Sequence, residues 1–340
     1  MTSISPIEPV KINIVMAGST GVGKTSMLAA MYPSLREQLH NIRYNFVPQD
    51  EDHLVLTNEY EKLQKLAQGG IEVVSDYVGT RGEKEFVFHI QPRTSESPDM
   101  ELHLWDLPGG FYQDKQATRF LNDSNVSFLC VDAVTLMERC GIYHNRINMP
   151  DEIKDCYLKS NLHPNHIIIV CLMRAETYEQ DGLRKKLFQT FDEKYSTILS
   201  EIKKQKNTNI FVGSIQTTGR LRYNKIEVTG SDIKSYFIRH QNIKDYFSKG
   251  CDTPIQVAIH HSLATVKSTD IDNMKLIKKD YPPFTRFLWF MSGYKEYWER
   301  VARAKRLSLL LKEMEKSINI QSNQSQENCT FFQYHPLTTR

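Results

Sequence analysis

One short segment of the chain combines glycine, lysine and threonine at a spacing that suits phosphate binding. The sequence GSTGVGKT at residues 18–25 satisfies G-x-x-x-x-G-K-[ST], after a β-branched run and before a stretch of helical composition. Glycines let the loop approach phosphate oxygens with its backbone N–H groups, and the helix that follows adds its positive N-terminal end. The Lys24 ammonium can bridge the outer phosphates, and the Thr25 hydroxyl can ligate magnesium.

This segment predicts a site for a nucleoside di- or triphosphate. A glycine loop without a ligand is the alternative, and the four fixed positions in the correct context disfavour it. The residues predicted to bind the nucleotide here are Gly18, Ser19, Thr20, Gly21, Val22, Gly23, Lys24, Thr25 and Ser26.

A carboxylate and a glycine follow a second strand-like run. Asp106 ends the alternating run ELHLWD and begins the sequence DLPG, which closes at Gly109. Ligands of open α/β sheets bind at the carboxyl ends of strands, where Asp106 can hold magnesium, usually through water. Gly109 suits a backbone that approaches the terminal phosphate and moves when that phosphate leaves. An ordinary turn aspartate is the alternative, but the phosphate loop upstream favours the functional interpretation.

The elements around these motifs indicate an α/β domain. Strand-like runs, either apolar throughout or alternating, lie at residues 11–17, 85–90, 101–107, 126–131, 166–172 and 209–212. Helical patterns lie at residues 25–35, 52–67 and 183–202. Strands that alternate with helices predict a three-layer α/β fold with a mostly parallel sheet.

The pattern also divides the chain into three parts. We predict a nucleotide-binding domain over residues 1–215, with insertions near 36–84 and 135–162. The α/β alternation fades beyond this point, and residues 216–317 are predicted to form a mainly helical extension. Residues 318–340 are rich in Asn, Gln, Ser and Thr, which predicts a poorly ordered polar tail.

Composition excludes several other classes of function. The 340 residues carry 43 Lys plus Arg against 40 Asp plus Glu, so net charge gives no reason to expect binding to nucleic acid or membrane. The longest unbroken apolar run, residues 167–173, is far shorter than the roughly 20 residues that a membrane span requires. No signal peptide is visible at the start, and the six scattered cysteines form no C-x-x-C pair. A cytoplasmic location is therefore expected.

With its two motifs the chain resembles the Ras-like P-loop GTPases of the translation-factor-related (TRAFAC) class. The resemblance implies a Mg²⁺-dependent switch that binds GTP or GDP, rather than ATP, and hydrolyses GTP. It also implies that Thr80, in the sequence VGTRG, completes the magnesium shell and contacts the terminal phosphate. The implied metal ligands are then Thr25, Thr80 and Asp106, and the implied catalytic residues are Lys24, Thr80 and Gly109. A loop threonine between two glycines is the alternative for Thr80.

The family reads its base with [NT]-K-x-D, where this chain has MRAE at residues 173–176. Arg174 can replace the lysine whose stem lies on the base, because guanidinium planes stack well. Glu176 can accept two hydrogen bonds from guanine, whereas Met173 cannot make the usual polar contact. A helix start without a ligand is the alternative for this segment. The base-capping loop of the family is matched by GSIQ, which includes Ser214.

One departure from the family affects the expected function. The glutamine that often follows D-x-x-G is absent, since GFY occupies residues 110–112 and Gln113 is out of register. Hydrolysis is therefore expected to be slow or to need an activating partner or a second copy of the chain. A GTP-binding scaffold with little hydrolysis and an ATP-specific P-loop NTPase or kinase are the alternatives. The phosphate-loop segment and GTRG-x-x-x-F further resemble bacterial double-GTPase families linked to conflict and phage defence, although this chain has one phosphate loop.

Overall fold

We describe the fold from a computed structural model. The described residues are 8–68, 72–76, 82–109, 116–219, 221–229, 232–239, 246–265, 294–317, 320–321 and 331–334. The predicted metal ligand Thr80 and residues 110–115, which include Gln113, lie outside them.

Strands and helices alternate along most of the described chain. The strands are β1 Val10–Gly18, β2 Tyr44–Pro48, β3 Glu72–Asp76, β4 Lys84–Pro92, β5 Met100–Asp106, β6 Val126–Asp132, β7 Ile167–Met173, β8 Asn209–Ser214, β9 Leu221–Thr229, β10 Asp232–Arg239, β11 Ile320–Gln321 and β12 Phe331–Gln333. The α-helices are α1 Lys24–Asn41, α2 Asp50–Gln68, α3 Ala117–Asn122, α4 Ala133–Met137, α5 His144–Asn148, α6 Pro150–Lys159, α7 Glu176–Gln180, α8 Arg184–Lys206, α9 (residues 253–265) and α10 Tyr294–Ser317.

The main sheet has the order β11-β12-β8-β7-β6-β1-β5-β4-β2 within the described residues. Its five central strands, β5, β1, β6, β7 and β8, are parallel to one another. Antiparallel pairing is confined to the flanks, where β4 and β2 extend one edge and β12 pairs with β8 at the other. The predicted three-layer α/β fold with a mostly parallel sheet is confirmed.

The burial of the central strands explains their continuous apolar sequences. Every residue of β6 and β7 is buried, because both strands lie in the middle of the sheet and are covered on both faces. Helix α1 packs on one face through side chains such as Leu28 and Leu35. Helix α8 packs on the other face through Phe191 and Leu199. This arrangement places the carboxyl ends of the parallel strands, and the loops that follow them, along one edge.

The predicted insertions contain regular structure that extends the domain. In the first insertion, β2 continues the sheet beyond β4, and α2 packs beside α1 with Leu56 and Leu63 buried. In the second, the short helices α4, α5 and α6 precede β7, and α6 packs on α8. No helix in the described part of the chain is long and apolar enough to cross a membrane.

The region after β8 differs from the prediction in two respects. Strands β9 and β10 form an antiparallel hairpin that also pairs with β3, so the extension is not simply helical. The polar tail contains β12, which makes the prediction of a poorly ordered tail wrong for residues 331–334. Although this segment is mostly polar, two of its side chains, Phe331 and Tyr334, are buried. Phe331 fits because Gly213 leaves room: a Cβ there would lie 2.3 Å from the ring.

Candidate nucleotide-binding site

The phosphate loop lies between β1 and α1, as the sequence predicts. Three of its positions require glycine, for two different structural reasons. Gly21 and Gly23 have φ angles of 66° and 99°, a left-handed conformation that residues with a Cβ rarely adopt. A Cβ on Gly18 would lie 2.5 Å from the carbonyl oxygen of Cys130 on β6. The N-cap residue of α1 is Gly23, which has no side chain to cap the first turn. The start of a helix favours an anionic ligand at this position.

Lys24 points back into the phosphate loop. Its ammonium donates hydrogen bonds to the carbonyl oxygens of Gly18 at 3.1 Å and Ser19 at 3.2 Å. Burial lowers the pKa of Lys24, and the nearby carboxylate of Asp106 opposes that shift. The hydroxyl of Ser19 is buried with no hydrogen-bond partner among the described residues. A buried cation beside an unpaired hydroxyl is an arrangement that phosphate oxygens would satisfy.

Asp106 lies next to the loop because β5 pairs with β1 in the register that places it opposite Met16. Its Oδ2 accepts a hydrogen bond of 2.5 Å from the Thr25 hydroxyl. Its Oδ1 is buried with no hydrogen-bond partner among the described residues. Burial raises the pKa of Asp106, while Lys24 and then the Thr25 hydrogen bond oppose the rise. Because hydroxyl and carboxylate oxygens are the ligands that Mg²⁺ prefers, this pair fits the implied metal.

Gly109 touches the phosphate loop directly. A Cβ on Gly109 would lie 1.8 Å from the Thr20 Oγ1 and 2.1 Å from the Thr20 backbone nitrogen. A real side chain cannot occupy that space, so the contact requires glycine. The structure thus brings the D-x-x-G segment against the loop, and the role of Gly109 in sensing the terminal phosphate stays a prediction.

Arg174 also lies beside the phosphate loop. Its guanidinium donates a hydrogen bond to the carbonyl oxygen of Gly21, and its Nη1 lies 3.5 Å from Oδ2 of the buried Asp132. The guanidinium carbon is 5.8 Å from the centroid of the Phe237 ring on β10. These contacts fix the head of the side chain between loop and hairpin. The predicted stacking of its stem on a base stays a prediction.

Glu176 begins α7, where the predicted base-reading residue should be. It is buried, and its Oε1 accepts hydrogen bonds from the backbone N–H of Thr218 at 2.9 Å and from the Thr218 hydroxyl at 3.2 Å. Burial raises the pKa of Glu176, and the backbone hydrogen bond from Thr218 opposes the rise. The carboxylate is therefore fixed by the loop after β8.

The location predicted for the base-capping loop needs correction. Ser214 belongs to β8 rather than to the loop, because β7 pairs with it on one side. Its hydroxyl donates to Glu179 Oε1 at 2.5 Å and accepts from Arg184 Nη1 at 3.2 Å, so it is bound to both members of a part-buried ion pair. The loop begins beyond Ser214 and presents Thr217 and Thr218. A role for Ser214 at the nucleotide stays untested.

Sequence reasoning missed the segment that supports this loop. The backbones of Gln216 and Lys249 exchange two hydrogen bonds of 2.9 Å. The Tyr246 hydroxyl donates to the carbonyl oxygen of Thr217 at 2.8 Å, and a Cβ on Gly219 would collide with the neighbouring Phe247 ring. The polar, tyrosine-containing sequence of this segment gave no signal for such a role, because its partners lie about thirty residues earlier.

The first insertion borders the site as well. Ser26, the last residue predicted to bind the nucleotide, donates from its hydroxyl to Glu59 Oε1 of α2 at 3.3 Å. Tyr60, the next residue of α2, packs edge-on against Tyr246. The insertion and the segment after β10 therefore meet beside the phosphate loop.

Comparison with solved structures finds a similarity to the GTPase-like domain of S. cerevisiae Ski7, crystallised with GTP. The TM-score is 0.38 and the sequence identity 15%, over 61% of this chain and 43% of that chain. This chain thus spans less than half the length of the structure it matches. No protein-family model matches the sequence, and no curated protein is similar to it in sequence.

Proposed function

We propose that this chain is a GTP-binding switch that requires Mg²⁺ and hydrolyses GTP, slowly alone or faster with a partner. The observation that carries the proposal is the hydrogen bond between Thr25 and the buried Asp106, beside the Lys24 ammonium. The phosphate loop and the end of β5 together supply hard oxygen ligands for a metal and a fixed cation for phosphate. A bound Mg²⁺ would neutralise charge on the outer phosphates.

Each residue of the site has a defined task in this proposal. The N–H groups of the phosphate loop and the Lys24 ammonium bind and orient the phosphates. Thr25 and Asp106 hold the metal, together with Thr80. Arg174 and Glu176 bind the base, and Gly109 follows the presence of the terminal phosphate. Loss of that phosphate would release the segments that carry Thr80 and Gly109.

The proposed GTPase activity is tested by single-turnover hydrolysis of GTP with the wild-type chain and the Lys24→Ala variant. We expect a Mg²⁺-dependent rate that the variant lacks. Equal rates for the two proteins would remove the enzyme activity and leave the second candidate, a GTP-binding scaffold. The absence of glutamine after D-x-x-G favours that candidate.

Base identity is tested by competition of GTP against ATP for a fluorescent guanine nucleotide bound to the purified protein. Displacement by GTP at much lower concentration than ATP is the expected result. A protein indifferent to GTP would be an ATP-specific NTPase or kinase instead.

The biological role that we propose for the switch is based on the resemblance of its motifs to bacterial double-GTPase families. We infer a cytoplasmic protein of a conflict or phage-defence system that acts on an effector through its GTP-bound form. Phage challenge of cells with the wild-type or Lys24→Ala chain tests this role, and equal survival would argue against it.

A further inference from the structure

Lys84 lies at the nucleotide site although no motif includes it. It is the first residue of β4 and pairs with Asp106 across the antiparallel β4–β5 ladder. Because β4 runs opposite to β5, its amino end meets the carboxyl end of β5 at the edge of the sheet that carries the phosphate loop. A positively charged residue thus lies beside the predicted metal ligand.

The Lys84 ammonium is held in place from two sides. It lies 3.6 Å from Oδ1 of Asp52 on α2 and 4.4 Å from the centroid of the Phe86 ring. Asp52 is itself buried, and its Oδ2 accepts a hydrogen bond of 3.1 Å from the Val87 backbone N–H. The carboxylate is therefore anchored to the same strand, and the lysine it pairs with has a defined position.

The positive charge of Lys84 acts electrostatically on the carboxyl group of Asp106. Burial raises the pKa of Asp106, and Lys24, Thr25 and Lys84, in that order, oppose the rise. A cation beside Asp106 attracts an added phosphate and repels an added metal ion. In a medium of intermediate dielectric such a charge changes binding constants by about three- to tenfold.

We propose that Lys84 is a specificity-determining residue whose ammonium, held by Asp52, favours a nucleoside triphosphate over the diphosphate. The same charge weakens binding of Mg²⁺ to the diphosphate complex, where no terminal phosphate compensates for it. The inference rests on the proposed function, because it assumes a nucleotide in the phosphate loop. It gives the first insertion a task, since α2 supplies the carboxylate that positions the lysine.

The test compares Lys84→Met and Lys84→Arg with the wild-type chain. Affinities for GDP and for a non-hydrolysable GTP analogue are measured by calorimetry, and the GDP complex is titrated with MgCl₂. Lys84→Met should lower the affinity for the GTP analogue about three- to tenfold and leave that for GDP nearly unchanged. It should lower the Mg²⁺ concentration for half-saturation by a similar factor. Lys84→Arg should restore wild-type values.

Lys11→Met is the matched control. Lys11 is an exposed lysine near the amino end of β1, away from the site, and it pairs with Glu101 at 3.8 Å. The variant removes one positive charge. It should leave unchanged both the GTP-to-GDP affinity ratio and the Mg²⁺ concentration for half-saturation. An equal change in Lys11→Met and Lys84→Met would overturn the proposal, because net charge rather than position would then explain it.

Two further outcomes separate this inference from the proposed function. Wild-type protein that binds no nucleotide overturns both, whereas tight binding with an unchanged GTP-to-GDP ratio in Lys84→Met overturns the role of Lys84 alone. If Lys84→Met melts more than about 5 °C below the wild-type chain, Asp52→Asn carries the test. That variant keeps the lysine but removes the carboxylate that opposes its charge, so the same ratio should rise, and an unchanged or lower ratio contradicts the inference.

Discussion

The hydroxyl of Thr25 donates a hydrogen bond to Oδ2 of Asp106, which joins the phosphate loop to the end of β5. The two residues belong to separate sequence motifs, and pairing of β1 with β5 brings those motifs together. The other oxygen of Asp106 is buried without a hydrogen-bond partner in the described chain. The site is thus assembled by the sheet in advance, with one carboxylate oxygen left for a ligand.

Replacement of Asp106 by Asn tests that oxygen. The change preserves shape but removes the charge, so nucleotide affinity in the presence of Mg²⁺ should fall about 10- to 100-fold. Affinity in EDTA should change much less. Thermal stability should hold, because burial already disfavours the charged form of Asp106. Asp123→Asn, at an exposed carboxylate after α3, is the control, and equal Mg²⁺ dependence in both variants would contradict the assigned role.

Gly109→Ala tests the contact between the D-x-x-G segment and the phosphate loop. The added methyl would collide with the Thr20 backbone, so the two segments must separate. We expect a fall of about 1–3 kcal/mol in the free energy of unfolding, measured in urea, and weaker binding of a GTP analogue. Gly182→Ala is the comparison, because nothing lies within 4 Å of its Cβ and only the strain of its positive φ is added. It should lose stability without losing nucleotide affinity.

Thr218→Val tests how the carboxylate of Glu176, the proposed base-reading residue, is positioned. Valine removes the hydroxyl that donates to Glu176 but keeps the backbone N–H that also donates. Affinity for GTP should fall about threefold to tenfold, and affinity for ATP should not change. Glu176→Ala should abolish the preference for GTP altogether. An unchanged preference in Glu176→Ala would place the base elsewhere.

The phosphate loop, Asp106 and the sheet class were predictable because each depends on residues close together in sequence. The loop after β8 was placed too early because the end of that strand is set by distant partners. Gly213 continues the strand since β12 pairs with it through Phe331, and no local pattern near residue 213 shows that pairing. The position of Lys84 beside Asp106 likewise depends on the register of two strands, which the sequence pattern alone did not provide.

Stability should decrease in acid because two histidines are buried in neutral form. Burial lowers the pKa of both His144 and His166 to about 4, from an ordinary value near 6.5. His166 is held by Ser127 and by the carbonyl oxygen of Ser124. The unfolded chain therefore binds more protons between pH 6.5 and 4. The stabilisation is fully present above pH 6.5 and is lost as the pH falls toward 4.

Urea unfolding at a series of pH values measures this effect. Each histidine should contribute a slope of up to about 1.4 kcal/mol per pH unit within that range. His166→Gln should reduce the slope, even if it lowers stability at pH 7. His40→Gln, at an exposed histidine of α1, should leave the slope as in the wild-type chain. Identical slopes in His166→Gln and His40→Gln would show that acid acts elsewhere.

Phe331 links β12 to β8, the strand that leads into the loop proposed to cap the base. Its ring is fully buried against Gly213, and β12 extends the sheet beside β8. Phe331→Ala should lower the free energy of unfolding by about 3–5 kcal/mol, because the cavity it leaves lies in the core. Gln333→Ala, a partly exposed residue of the same strand, should change stability by less than about 0.5 kcal/mol. Urea unfolding of both variants decides the point: similar small losses would mean that β12 adds little to the sheet, whereas a large loss confined to Phe331→Ala makes the tail part of the domain core.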